Sequence, residues 1–164
     1  MPTKIQKMTP SDWPEIAAIY LEGIQTGNAT FQTEVPSWEA WDNAHLPNCR
    51  FVAVVDGTIA GWAALSPVST RSVYAGVAEE SVYIGENFRG QGIGLALLEH
   101  LVAESEAHGF WTLQAGIFSE NLGSLRIHEK CGFRVFGRRE RIGRMGEVWR
   151  DTLLLERRSA VVGV

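Results

Sequence analysis

The stretch that decides the fold is Val82-Tyr83-Ile84-Gly85-Glu86-Asn87-Phe88-Arg89-Gly90-Gln91-Gly92-Ile93-Gly94-Leu95. A β-prone run breaks here into closely spaced glycines and reopens as an apolar helix. Glycines lack the Cβ atoms that would keep a ligand away, so successive backbone N–H groups can converge on a phosphate at the helix N-terminus. Arg89 adds a positive charge beside them. The stretch therefore predicts a strand, an anion-binding loop and a helix.

This loop differs from two other phosphate-binding loops. The dinucleotide fingerprint G-x-G-x-x-G would need a glycine where Leu95 stands, and the Gly-Lys-Ser/Thr of the P-loop is absent. What remains is the spacing Arg89-x-x-Gly92-x-Gly94. A glycine-rich strand-to-helix turn without a ligand is the alternative interpretation of this short motif.

Length and composition set the broad class. With 164 residues, 45% of them hydrophobic and 21% charged, the chain is most simply one domain over residues 1–164, with an ordered core of about 3–157. A net charge of −4 argues against nucleic acid or an anionic membrane as the main partner. No apolar run approaches the roughly 20 residues of a membrane span, and the first residues lack a signal-peptide core, so we expect a cytoplasmic protein. Cys49 and Cys131 have no metal-binding spacing, and we expect no metal.

Outward from the central stretch, periodicity predicts the remaining elements. Asp56-Gly57 between two β-prone runs predicts a tight hairpin of strands 51–55 and 58–65, and Ser37 is a candidate helix N-cap. The predicted helices cover about 11–27, 37 onward, 92–108 and 121–132, and the other predicted strands cover 5–8, 79–84, 110–118, 133–137 and 147–155. A basic connection with Arg138, Arg139, Arg141 and Arg144 is expected to be a solvated loop. The order indicates an α/β fold with a sheet of mixed direction.

A second motif makes a family resemblance specific. It is Asn121-x-x-Ser124-x-x-x-His128-Glu129-Lys130-Cys131-Gly132-Phe133. Together with the glycine loop, which resembles the acetyl-CoA pyrophosphate loop Q/R-x-x-G-x-G/A, it resembles the GNAT superfamily of N-acetyltransferases over essentially the whole chain. The resemblance implies a single-domain GNAT fold: a mixed, mostly antiparallel sheet of six to seven strands flanked by about four helices.

Shorter stretches resemble the phosphinothricin and methionine sulfone acetyltransferase branch of that superfamily. They are Asn28-Ala29-Thr30-Phe31, Arg71-x-x-Tyr74, Glu79 before Val82-Tyr83, His128 in place of Tyr, and Trp149-Arg150-Asp151. The branch implies an acetyl-CoA-dependent N-acetyltransferase that acts on the α-amine of a small amino acid or analogue, such as phosphinothricin, methionine sulfone or methionine sulfoximine. Related proteins are commonly homodimers, and we expect a homodimer here.

The resemblance also assigns cofactor-binding residues. The pyrophosphate of acetyl-CoA would lie on the backbone amides of Arg89, Gly90, Gln91, Gly92, Ile93, Gly94 and Leu95, and the pantetheine arm along Val82, Tyr83 and Ile84. Asn121 and Ser124 would contact the arm from the next helix, and Lys130 would lie near the phosphates. Asn121 also fits a helix N-cap, and Lys130 also fits a solvated residue near a helix C-terminus.

Glu79 is the candidate general base. Amines are mostly protonated at neutral pH, and a carboxylate beside the acetyl group could attract the ammonium and accept its proton. Glu80 competes for the role, but strand alternation sends the two side chains to opposite faces of the sheet, so only one can serve. The branch pattern and the parity shared with Ser81 and Tyr83 favour Glu79; a solvated carboxylate near the start of a strand is the other interpretation.

His128 stands where many relatives carry a Tyr thought to protonate the departing thiolate. An imidazole could protonate it, could bind an oxygen of the substrate, or could be a structural helix histidine. For the acceptor, Arg71 is a candidate partner of a carboxylate, and Ser72, Val73, Tyr74 and Phe31 are candidates for the wall of the site. Phe31 could equally be an anchor that holds its loop on the core, and Arg71 could be an ordinary loop arginine.

The sequence leaves other functions open. A transferase acting on protein N-termini or polyamines is the alternative within the enzyme class, and a non-catalytic acetyl-CoA sensor is the alternative outside it. No cysteine lies in the expected site, so acetyl transfer needs no acyl-enzyme step and is expected to be direct, in a ternary complex.

Overall fold

A computed structural model describes residues 2–164. The strands and helices, in chain order, are β1 (Thr3–Lys7), α1 (Trp13–Gln25), α2 (Trp38–Ala44), β2 (Phe51–Val55), β3 (Thr58–Pro67), β4 (Val77–Ile84), α3 (Ile93–Ala107), β5 (Thr112–Phe118), α4 (Leu122–Lys130), β6 (Arg134–Met145) and β7 (Val148–Arg158). None of the helices within residues 2–164 is long and apolar enough to cross a membrane.

The seven strands found within residues 2–164 form one sheet in the order β1-β2-β3-β4-β5-β7-β6. Every neighbouring pair is antiparallel except β4 and β5, which are parallel. The predicted α/β fold with a mixed, mostly antiparallel sheet and four helices is therefore confirmed.

Local signals explain where several elements begin and turn. Asp56 and Gly57 both have positive φ, 49° and 78°, the backbone that a primed hairpin turn requires between β2 and β3. The Ser37 hydroxyl accepts a hydrogen bond from the Ala40 N–H at 3.2 Å and so caps α2 as predicted.

The basic connection after residue 137 is not a loop, and that expectation was wrong. Residues 138–144 belong to β6, which pairs with β7 along a long hairpin. Arg138 forms a salt bridge with Asp151 on the neighbouring strand, and the backbone N–H of Arg141 donates to the other carboxylate oxygen of Asp151 at 2.8 Å. Arg141 has a φ of 48°, and the register shifts between Arg139 and Gly143. Cross-strand pairing thus offsets a composition that by itself favours a loop.

The sheet buries an apolar layer on each face. On one face, α3 packs Leu97, Leu98 and Leu101 against the sheet, with Ala78 of β4 in the same cluster. On the other face, α1 and α2 pack Ile16 and Trp41 against Trp62 and Ala64 of β3. Side chains of β4 alternate between the two faces, with even-numbered residues on the α3 face and odd-numbered residues on the α1 face.

The parallel pair in the middle of the sheet is short. Strands β4 and β5 pair at three positions, and the last of these is Glu79 with Gln114. Beyond it, β4 stays paired with β3 as far as Ile84, and β5 stays paired with β7 as far as Phe118. The two strands therefore separate, and an opening forms inside the sheet; this opening is the splay.

Candidate active site

A cavity of about 760 Å³ lies along the splay. Its walls come from the α1–α2 loop (29–33), β4 (79–83), β5 (114–118), the first two turns of α4 and the β6–β7 hairpin. This volume suits a small-molecule site. The cavity brings together Phe31, Glu79, Val82, Tyr83, Asn121, Ser124 and His128, seven of the residues that the sequence nominated.

Backbone groups of β4 face the splay. The Gly85 N–H donates to the Ala60 carbonyl at 2.8 Å, so Gly85 points toward β3. By alternation, the N–H and C=O of Ile84 and Val82 point away from β3, and the Arg89 Nε–H donates to the Ile84 carbonyl at 3.2 Å. The same alternation turns the backbone of Tyr83 toward β3. Val82 and Ile84 therefore present the free edge that an extended ligand arm could join, whereas Tyr83 contributes its ring.

That ring belongs to a stack on the α1 face. Tyr83 stacks on Trp62 with ring centroids 4.8 Å apart and on Tyr20 at 5.0 Å. Burial raises the pKa of the Tyr83 phenol far above its usual value. The phenol therefore stays neutral at physiological pH, and the stack gives the cavity a rigid floor.

The glycine loop has the predicted strand–loop–helix form. Gly90 and Gly92 have φ values of 74° and 82°, and a Cβ added at either would meet no atom within 4 Å. Gly92 is the N-cap of α3 and offers no side-chain acceptor, so the N–H groups of the first turn have no helical partner. Gly94 packs closely on α4, because its Cβ would lie 3.3 Å from Ile127 Cδ1. The loop is open, unobstructed and electropositive, as an anion site requires.

The N-terminus of α4 closes one side of the cavity. Asn121 caps the helix by accepting from the Ser124 N–H at 3.3 Å, and its side-chain amide donates to the Asn28 carbonyl at 3.2 Å. The N-cap interpretation of Asn121 is therefore confirmed. Lys130 is the last residue of α4, is exposed and does not line the cavity.

His128 and Glu80 form a buried pair on the α3 face, with exposed fractions of 3% and 7%. Nδ1 of His128 lies 2.6 Å from the Ser124 carbonyl, which can only accept, so Nδ1 carries a hydrogen. Nε2 is hydrogen-bonded to Glu80 Oε1. Burial alone would lower the pKa of His128, but the Glu80 charge and hydrogen bonds to Glu80 and Ser124 outweigh it and raise this pKa. The pair therefore places a hydrogen-bonded imidazole and carboxylate at the back of the cavity.

Glu79 points to the opposite face, as alternation predicted. It is exposed at the cavity and has no hydrogen-bond or ion-pair partner among residues 2–164. Partial loss of water raises the pKa of Glu79, the neighbouring charge of Glu80 raises it further, and Arg139 opposes both. Of the two adjacent carboxylates, Glu80 is committed to His128 and Glu79 is free to meet a ligand.

The α1–α2 loop covers the far side of the cavity. Phe31 packs edge-on against Phe118 with centroids 4.7 Å apart and lies over Gly143, where a Cβ would come within 2.6 Å of the ring. Only glycine leaves room for the ring at that point of β6. Phe31 is therefore both anchored and part of the wall, so its two sequence interpretations coexist.

Sequence reasoning gave no role to the residue that anchors this loop. Arg150 is buried and donates to the Gly27 carbonyl at 2.6 Å and to Asn28 Oδ1 at 2.7 Å. Its guanidinium lies 4.2 Å from the Phe118 ring centroid and 3.2 Å from Glu120 Oε2. The stretch Trp149-Arg150-Asp151 was the one available signal for this role. The role itself depends on contacts with Gly27 and Asn28, which are more than a hundred residues away in sequence.

The predicted substrate residues 71–74 lie elsewhere on the chain. They form a short 3₁₀ turn between β3 and β4, all four are exposed, and none lines the cavity. The Arg71 guanidinium lies 5.5 Å from the Tyr74 ring centroid. A role for Arg71, Ser72, Val73 and Tyr74 in acceptor binding stays a prediction. By contrast, Arg139 lines the cavity although the sequence placed it in a solvated loop.

Comparison with known families and proteins gives a consistent result. Residues 13–133 match the family described as "Acetyltransferase (GNAT) family". The chain is 34% identical over 160 residues to phosphinothricin N-acetyltransferase of Alcaligenes faecalis, covering 93% of this chain and 81% of that protein. It is 26% identical over 162 residues to L-methionine sulfoximine/L-methionine sulfone acetyltransferase of Pseudomonas paraeruginosa, covering 95% of this chain and 94% of that protein.

A solved structure shares the fold closely. The phosphinothricin acetyltransferase of Sinorhizobium meliloti, determined in complex with AcCoA, superposes with a TM-score of 0.88 at 29% identity. The match covers 96% of this chain and 89% of that one. The sequence-based resemblance to the superfamily and to this branch is thereby confirmed.

Proposed function

The chain belongs to the GNAT family of acetyltransferases, and on that premise we propose that it acetylates the α-amine of a small amino acid or analogue by direct transfer from acetyl-CoA in a ternary complex. One observation carries the proposal: β4 runs from the unpaired carboxylate of Glu79, which lines the cavity, along its free edge to the open glycine loop at the start of α3. The names of the similar enzymes support phosphinothricin, methionine sulfoximine and methionine sulfone as acceptors.

The residues present fit acetyl-CoA. The loop at Gly90 to Gly94 has room for a pyrophosphate where side chains would otherwise stand, and the first-turn amides of α3 are free to bind it. Val82 and Ile84 would hold the pantetheine arm as a neighbouring strand would. When bound, acetyl-CoA supplies an acetyl thioester, whose carbonyl carbon bonds to the amine nitrogen as the carbon–sulfur bond breaks.

Glu79 would be the general base. It lies on the α1 face of β4, where the acceptor enters between the α1–α2 loop and the hairpin. As a carboxylate it attracts the substrate ammonium, and its raised pKa makes it a better proton acceptor than an ordinary glutamate. It would take the proton that the ammonium must lose before the nitrogen can react.

The Glu80–His128 pair would supply the proton that the departing sulfur needs. It lies on the α3 face of the splay, opposite Glu79, and His128 lines the cavity. The charge of Glu80 and its hydrogen bond raise the pKa of His128 despite burial and so favour the protonated imidazole. This gives the two carboxylates separate roles: Glu79 accepts a proton on the acceptor side, and Glu80 holds His128 in place on the other side.

The remaining parts of the proposal concern the setting. We infer a cytoplasmic homodimer that uses no metal and binds no nucleic acid. The net charge of −4 supports the last point. Exposed apolar residues on the β6–β7 hairpin, among them Ile142, Val148 and Trp149, support an interface between copies.

The test is acetyl-CoA-dependent thiol release with five acceptors: L-phosphinothricin, L-methionine sulfone, L-methionine sulfoximine, spermidine and a peptide with a free N-terminus. We expect saturable turnover with the amino-acid analogues and none with the other two. Turnover confined to spermidine or to the peptide would refute the acceptor class. Tight acetyl-CoA binding without turnover of any of them would refute the enzymatic proposal and favour a sensor.

A further inference from the structure

Arg139 shares a face of the sheet with Glu79. Glu79 pairs with Gln114 on β5, and Gln114 has the same strand parity as Phe118. Phe118 pairs with Thr152 of β7, which pairs with Arg139 of β6. Because directly paired residues point to the same side of a sheet, this chain of pairings places Arg139 and Glu79 on the α1 face. Both line the cavity.

The guanidinium of Arg139 has no hydrogen-bond or ion-pair partner among residues 2–164. Among the other arginines of the hairpin, Arg138 is bonded to Asp151, Arg134 to Glu156, and Arg150 to Glu120. The side chains of Arg141 and Arg144 have no ion pair within residues 2–164 either, but they do not line the cavity. Arg139 is exposed on the cavity wall, so its guanidinium is available to an anionic ligand. Thr152 and Leu154, the hairpin side chains around it, carry no charge, and Glu79 is the carboxylate of the cavity on which its charge acts.

The position of Arg139 identifies which anion it can reach. Three strand intervals separate β4 from β6 in the sheet, so the backbones of Glu79 and Arg139 start roughly 14 Å or more apart at 4.7–4.9 Å per interval, although the charge of Arg139 still acts on Glu79. The α-carboxylate of an amino acid is bonded to the carbon that carries the amine and must stay beside Glu79 with it. The group that extends toward Arg139 is the far end of the acceptor side chain.

On the basis of the proposed function, we propose that Arg139 binds an oxyanion at the end of the acceptor side chain and makes the enzyme favour acidic over neutral side chains. A phosphinate or a carboxylate at the end of the side chain has the negative charge and the oxygen acceptors that the Arg139 guanidinium would bind. Gly116 lies between Glu79 and Arg139 on β5, and a Cβ there would meet nothing within 4 Å. Phe31 and Leu154 line the same stretch and suit the methylene groups of such a side chain.

Two acceptors make the test sharp. Phosphinothricin and methionine sulfone have side chains of nearly the same shape, but the first ends in an anionic phosphinate and the second in a neutral sulfone. The Arg139→Gln variant should raise KM for phosphinothricin by about tenfold or more, the usual worth of a charge-assisted hydrogen bond. KM for methionine sulfone and for acetyl-CoA should change by less than about twofold.

Arg138→Gln is the matched control, because it removes the same charge from the adjacent residue, which points to the other face. It should leave both acceptor KM values unchanged. Equal increases for the two acceptors in Arg139→Gln, or an increase in Arg138→Gln as large as that in Arg139→Gln, would overturn the assignment. Thermal unfolding of both variants checks that the hairpin is intact.

Wild-type behaviour separates this inference from the proposed function. If the enzyme acetylates methionine sulfone but neither acetylates nor binds phosphinothricin, the inference fails and the proposed function stands. If calorimetry shows Arg139-dependent binding of phosphinothricin without turnover, the proposed function fails and the inference stands. If wild-type protein neither binds nor acetylates either compound, both fail.

Discussion

Glu79 and Glu80 are adjacent in β4 and chemically identical, but they lie on opposite faces of the sheet and have different environments. On the α3 face, Glu80 is buried and bonded to His128, whose other ring nitrogen is held by a backbone carbonyl. On the α1 face, Glu79 meets the cavity without a partner among residues 2–164. One peptide bond therefore separates a carboxylate that holds structure from one that is free for chemistry. The difference arises from the pleat of the strand and not from the residues themselves.

The largest expected effect comes from the free carboxylate. Glu79→Gln keeps the shape but removes the proton acceptor, and kcat should fall by about 10²- to 10⁴-fold, the usual contribution of a general base. The free energy of unfolding should change by less than about 0.5 kcal/mol, because the side chain is exposed. Steady-state kinetics and urea unfolding measure the two quantities.

Glu129→Gln, an exposed glutamate on α4, serves as the charge-matched control and should alter neither quantity. If the Glu79→Gln enzyme has near-normal kcat but a lower free energy of unfolding, Glu79 has a structural role and is not the base.

The second effect concerns the buried carboxylate. Glu80→Gln leaves His128 without its charged partner, so the free energy of unfolding should fall by about 2–4 kcal/mol at pH 6, as when one member of a buried pair is removed. Urea denaturation of this variant beside Glu79→Gln compares the faces directly, and NMR titration should show a lower His128 pKa. If Glu80→Gln is as stable as wild type, the pair contributes nothing to folding. If the acidic limb of the kcat/KM profile disappears in Glu80→Gln and persists in Glu79→Gln, Glu80 and not Glu79 is the base.

The smallest effect is a pH dependence that separates the two groups. The pKa of His128 is raised in the folded protein, so its contribution to stability is complete below the unfolded value of about 6.5 and is lost as pH rises through the folded value. The stability difference between wild type and Glu80→Gln should shrink over that window. Urea midpoints measured from pH 5.5 to 9 follow it, and a difference that grows with pH would show the opposite sign of coupling.

The pH dependence of activity should reflect the titration of Glu79. Because the pKa of Glu79 is raised, the acidic limb of kcat/KM should lie above the ordinary glutamate value and be absent in Glu79→Gln. Partial burial of Glu79 is the main cause of the raised pKa; the charge of Glu80 raises it further, and the charge of Arg139 lowers it.

Local signals in the sequence predicted the parts of the site that depend on local structure. The glycine loop, the Asn121 cap and the opposite orientation of Glu79 and Glu80 follow from neighbours within a few residues. The His128–Glu80 pair joins residues 48 apart in sequence, and Arg150 reaches the α1–α2 loop across more than a hundred residues. Such contacts leave no periodicity to detect. Strand β6 was missed for a related reason: arginines and glycines have low strand propensity, and only pairing with β7 makes residues 138–144 extended.

The splay also affects the stability of the folded protein. An unpaired strand edge usually lies at the rim of a sheet, where it invites association with other chains. Here a comparable edge lies in the interior, at Val82 and Ile84, and the sheet lacks one member at its centre. A substrate arm that lies along this edge would complete the sheet, so part of its binding free energy would count as folding free energy. At a ligand concentration of 100 Kd, this linkage adds about 2.7 kcal/mol to the stability of the protein.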